Sequence, residues 1–148
     1  MERNHRVYRF HHVYGGESME WLLKYGKMAP IISPLRHPMS VAQSWKNRGK
    51  PIIEHKVHAP MIELFHALIE LSRQVRMYFL PLDHPNRERY LRRISELAGR
   101  TFKTRWERFG PVPSNPHQEL TAAEIEAVNV LMIDPFFKEY YGGEECLI

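Results

Sequence analysis

Apolar positions change period several times along the chain, and each change marks a predicted element. From Val7 to His12, aromatic or aliphatic residues alternate with polar ones in the two-residue period of a strand, and Gly15-Gly16 closes the run. A short helix follows around Ser18 to Tyr25. The stretch Ala29-Pro-Ile-Ile-Ser-Pro-Leu35 is short and apolar, as in a strand buried inside a sheet, and Arg36-His37-Pro38 punctuates it. Pro38 suits a first helical position, where its missing N–H would be unpaired anyway. Val41, Ala42 and Trp45 give the helix it opens a packing face.

Asn47 to Pro51 reads as loop. Pro60 opens the longest predicted helix, ending near Gln74, with Met61, Leu64, Phe65, Leu68 and Ile69 at helical spacing. Val75 to Leu80 is a third strand, stopped by Pro81 and by Asp83-His84-Pro85. A basic helix from about Asn86 to Ala98 turns Tyr90, Leu91, Ile94 and Leu97 inward, and Gly99 ends it. Phe109 to Pro116, rich in proline, reads as loop. Thr121-Ala-Ala-Glu124 has the capping-box spacing ahead of a helix to about Ile133, and a last helical stretch runs from Pro135 to Tyr141, leaving 142–148 as a flexible tail. No internal repeat stands out.

Strands alternating with helices predict an α/β fold: one domain over residues 1–148, a small three-layer parallel sheet flanked by helices. Three strands are few for a parallel sheet, which needs cover on both faces. The expectation therefore includes completion of the sheet by a partner chain or a second copy, giving an oligomer.

A hydrophobic fraction of 43% over 148 residues is enough for a proper core. Apolar runs stop short of the roughly 20 residues a membrane span needs, and Met1-Glu-Arg-Asn-His5 has no signal-peptide pattern. Cys146 is the single cysteine, so no internal disulfide or thiolate cluster can form. These features predict a soluble cytoplasmic protein with no membrane partner. The formal charge of +4 favours anionic partners without choosing among nucleotide, nucleic acid and sulfated sugar.

The candidate chemistry lies where the Ala29 strand ends. Arg36, beside a helix start with free N–H groups and hydroxyls, makes a place for a phosphate, and Ser40 and Ser44, four apart, share one side of the helix. Arg36-His37-Pro38, five residues, then Ser44-Trp45 resembles the Arg-x-Pro-x5-Ser signature of the sulfotransferases that use 3′-phosphoadenosine 5′-phosphosulfate (PAPS), a variant of the P-loop nucleoside-kinase fold. Leu80-Pro-Leu-Asp83 with the helix ending Leu97-Ala-Gly99, Trp106-Glu-Arg-Phe109, and Leu120-Thr-Ala-Ala-Glu124 resemble later segments of that family.

The resemblance implies that Arg36 and Ser44 hold the 3′-phosphate of the cofactor, with Ser40 alongside. The family's basic loop before its last helix implies second contacts from Arg100, Lys103 and Arg105. Sulfuryl transfer needs a group to take the acceptor's proton, and histidine serves because its reference pKa lies near neutrality. The family often places that histidine at an upstream strand end, which falls here on His12 or His11. Neighbouring strand residues point to opposite faces, so only one of them can enter a cleft.

The family's loop of lysine, glycine and Ser/Thr that cradles the 5′-phosphosulfate does not occur before Arg36. The resemblance thus covers the later part of the fold. It implies transfer of a sulfuryl group to a hydroxyl or amine acceptor within a larger assembly, or, alternatively, a truncated non-catalytic relative serving as a binding or assembly module.

Other chemistries fit less well. Among Glu54, His55, His58 and His66, the histidines at 58 and 66 stand about two helical turns apart, too far for one ion, so no metal is expected. Tyr90, Phe102 and Trp106 interleave with the basic segment, but Tyr90 takes a core position, which disfavours nucleic acid. Gly-x-Ser-x-Gly is absent, which leaves a serine hydrolase unsupported.

Overall fold

The computed structural model describes residues 16–57, 59–103 and 118–143. The strand expected at Val7 to His12, with His11 and His12, lies outside these residues, as do His58, Arg105, the Phe109 to Pro116 loop and 144–148. In chain order the described elements are α1 (Gly16–Tyr25), β1 (Ile31–Leu35), α2 (Pro38–Asn47), α3 (Met61–Gln74), β2 (Met77–Pro81), α4 (Arg87–Ala98), α5 (Ala122–Met132) and α6 (Pro135–Tyr141).

The strands pair in parallel, with Ile31 opposite Met77 and Leu35 opposite Pro81. A parallel pair needs a long crossover, which α2 and α3 supply. The Ile31 N–H donates to the Arg76 carbonyl at 3.0 Å and the Leu82 N–H to the Leu35 carbonyl at 2.8 Å. Odd-numbered residues of β1 and even-numbered backbone groups of β2 therefore face each other across the ladder. Pro34 and Pro81 fall at the other parity, where a missing N–H breaks no bond between the two strands.

The core lies between this sheet and the helices. Leu35 and Phe79 from the strands, Ile69 from α3, Leu131 from α5, and Phe137 and Tyr141 from α6 form one buried cluster. Ala42, Ile52, Met61 and Val128 join α2, the loop after it, α3 and α5. Leu22 of α1 packs with Leu71 and Val75. Val75, expected as the first strand residue, belongs to this cluster and caps α3 through its N–H, which donates to Leu71 O, and β2 begins at Met77. The fold is mixed helix and strand, with two sheet strands among the described residues where three were expected, the remaining one being the Val7 to His12 segment.

Local signals act as expected at several ends. Gly99 closes α4 with a positive φ of 63°, and Thr121 with Glu124 forms the reciprocal capping box of α5. Glu124 also meets the Lys46 ammonium of α2 at 2.8 Å. Burial pushes the Glu124 carboxyl up, but Lys46 and Thr121 more than reverse this and hold it below its ordinary value. Leu97 departs from expectation. It lies roughly 120° around the helix from buried Leu91 and stays 52% exposed.

Candidate functional site

Past their carboxyl ends, β1 and β2 run into two adjacent turns. Leu35 is buried and anchors the first turn, and Arg36 immediately after it is exposed. Among the described residues, the Arg36 side chain has no hydrogen-bond or ion-pair partner. His37 is the N-cap of α2, its Nδ1 accepting the Met39 N–H at 3.1 Å, and Pro38 takes the first helical position. Burial holds the His37 imidazole below its ordinary value, and the Asp83 carboxylate opposes that shift without cancelling it. The ring is neutral at pH 7. With Nδ1 accepting, its proton is assigned to Nε2.

Asp83 occupies the second turn. Its two carboxylate oxygens accept the His37 backbone N–H at 3.1 and 2.9 Å, and the Tyr141 hydroxyl donates to the first of them at 2.7 Å. His84 is 5% exposed; its Nδ1 accepts the Asn86 N–H at 2.9 Å, and its ring meets Tyr90 edge-on. Arg87 donates to the Leu82 carbonyl at 3.0 Å, and Tyr141 packs edge-on against His37. Nearby, burial together with Glu139 and Tyr90 pushes the Tyr140 hydroxyl up to about 12.

These contacts correct one expectation. The start of α2 does not offer a set of free amides to an anion, because Asp83 takes the His37 N–H, the His37 ring takes the Met39 N–H, and Pro38 has none. A carboxylate of the protein already sits where the helix dipole would favour a ligand anion. What remains at this end for a phosphate, among the described residues, is Arg36, the Ser40 N–H, and the hydroxyls of Ser40 and Ser44. Both serines are half-buried on one side of α2, Ser44 roughly 6 Å further along the axis.

The other expected ligands stand elsewhere. Arg100 and Lys103 are exposed and follow the far end of α4, whose twelve residues span roughly 18 Å from the Asp83 turn. Arg100 lines a groove of about 530 Å³ with Glu88, Arg92, Ser95 and Phe102. The structure thus places Arg36 just before α2, Ser40 in its first turn and Ser44 in its second, and leaves Arg100 and Lys103 beyond the end of α4. Among the described residues, no three His, Cys, Asp or Glu side chains gather as a metal site, and no helix is long and apolar enough to cross a membrane.

Asp83, Tyr141 and the two imidazoles escape a reading of single motifs. A signal for the paired turns is nonetheless present in the chain: Pro34-Leu35-Arg36-His37-Pro38 and Pro81-Leu82-Asp83-His84-Pro85 differ only at the third position. No family model, curated protein or solved structure matches this chain.

Proposed function

We propose that the chain is a sulfotransferase-like protein in which Arg36 and Ser44, with Ser40 beside them, hold the 3′-phosphate of PAPS. Within a larger assembly, the sulfuryl group of that cofactor passes to a hydroxyl or amine acceptor. The observation carrying this reading is the exposed Arg36 guanidinium, without an internal partner among the described residues, at the carboxyl end of a parallel strand and just before the helix that carries Ser40 and Ser44. In open α/β sheets ligands bind outside the carboxyl ends of the strands. An arginine placed there with its charge uncommitted suits a phosphate.

The test is thermal melting with millimolar 3′,5′-adenosine diphosphate. Binding should raise the melting temperature, and Arg36→Ala should abolish the rise, since losing a charge-assisted contact of about 1.5–3 kcal/mol weakens binding tenfold or more. An unmoved melting curve for the wild type overturns the reading.

One observation favours a second reading, a non-catalytic assembly module. Helix α5 buries Val128 and Leu131, yet Ile125 and Val130 on the same helix and Ile133 at its C-cap stay exposed, so apolar side chains reach well beyond the buried face. Light scattering on the same samples separates the two: a stable oligomer indifferent to the nucleotide supports the module.

A further inference from the structure

We infer that Asp83 is a positioning residue for Arg36, and that the Tyr141 hydroxyl makes this positioning depend on α6. The inference rests on the nucleotide-binding reading above and extends it to residues that do not touch the ligand.

With no partner among the described residues, the Arg36 side chain is aimed by its backbone alone. That backbone is held on both sides. Before Arg36, the Leu35 carbonyl accepts the Leu82 N–H at 2.8 Å, and the Leu35 side chain is 2% exposed. After it, the His37 N–H is shared by both oxygens of Asp83. Both restraints come from the turn following β2, so the base of the arginine is fixed to that turn.

Asp83 is fixed in its turn by the Tyr141 hydroxyl, and Tyr141 itself is 5% exposed within the main core cluster. A carboxylate accepting a backbone amide and a phenol hydroxyl has a charge-assisted grip on each. A chain of contacts therefore runs from the core through α6 and Asp83 to the residue that carries Arg36.

The same arrangement explains how an acid can stand next to a site for an anion. An unengaged carboxylate beside Arg36 would pair with it and neutralise the ligand's partner. Here the oxygens of Asp83 face the His37 N–H and the Tyr141 hydroxyl, and no Arg36–Asp83 ion pair forms. The guanidinium keeps its charge for a ligand.

The test uses the full chain and 3′,5′-adenosine diphosphate as probe, with affinity measured by calorimetry and amide exchange followed at His37. Asp83→Ala should weaken binding on the order of tenfold, and Asp83→Asn less, because its amide oxygen still accepts the His37 N–H. Tyr141→Phe, which keeps the packed ring, should weaken binding roughly threefold and speed exchange of the His37 amide while the melting temperature stays close to wild type. Tyr141→Phe guards against an Asp83→Ala chain that fails to fold. Wild-type affinity in both Asp83→Asn and Tyr141→Phe, with unchanged His37 exchange, overturns the inference alone. Failure of the wild type to bind overturns the functional reading and this inference with it.

Discussion

Pro34 to Pro38 and Pro81 to Pro85 share a frame and use it differently. In both turns a histidine accepts, through Nδ1, the amide two residues further on, and in both the chain passes from a parallel strand towards a helix. Pro38 is the first residue of α2, whereas Pro85 precedes the N-cap Asn86, so the second turn is longer and His84 sinks to 5% exposure while His37 stays half-buried. The residue between leucine and histidine then separates them. Arg36 faces solvent with no internal partner among the described residues, and Asp83 is engaged by the other turn and by α6. Local sequence sets the shape of such a turn, and the one residue that differs decides whether its side chain is left to solvent or engaged by the scaffold.

The strongest way to break this contrast is to give the first turn the second turn's charge. Arg36→Asp should weaken 3′,5′-adenosine diphosphate binding by about a hundredfold or more, near 2.7 kcal/mol, because an attraction becomes a repulsion. Its melting temperature without nucleotide should hardly move, since an exposed side chain without partners contributes little to folding. A large loss of stability would mean that Arg36 belongs to the scaffold after all.

The two imidazoles sharpen the contrast. His84→Ala should cost about 2–3 kcal/mol in denaturant unfolding, combining a lost buried ring with a lost acceptor, whereas His37→Ala should cost about 1 kcal/mol, the usual value of an N-cap. Equal losses would remove the distinction between a turn engaged by the scaffold and one open to solvent.

The smallest effect concerns pH. The folded-state pKa of His37 lies below 6.5, so the unfolded chain binds the proton more readily. Its contribution to stability is complete above pH 6.5 and is lost as the pH falls through the lowered folded value. Melting temperatures measured between pH 7.5 and 5.5 should decline on the acid side, and His37→Gln should flatten that decline. Glu124, also lowered, titrates below 4.5 and so stays outside this window.

Much of the fold was legible because its signals are local. Pro38 at a helix start, Gly99 at a helix end and the Thr121 with Glu124 box depend on residues within one turn, and all appear where the pattern puts them. The helical repeat of α3 likewise marks Met61, Leu64 and Ile69, which are buried. Illegible were contacts made by distant parts of the chain. Nothing near Arg36 indicates that the amide of His37 will be taken by a carboxylate 46 residues later, or that a tyrosine of the last described helix will steady that carboxylate. The motif marked Arg36, Ser40 and Ser44, but it could not show that Asp83 and the His37 ring take the amides of His37 and Met39 at the helix start.

Pro34 has a consequence for self-association. Along the rim of β1 that faces away from β2, Ile32 supplies the strand's one amide donor among the described residues, because Pro34 has none, and the Pro34 carbonyl already receives the Ser33 hydroxyl at 3.3 Å. A foreign strand laid along this rim would meet a ladder with rungs missing, which discourages open-ended, fibre-like growth. Any contact with another copy at this rim would have to rely on side-chain fit more than on shared backbone bonding, a mode that tolerates fewer wrong partners.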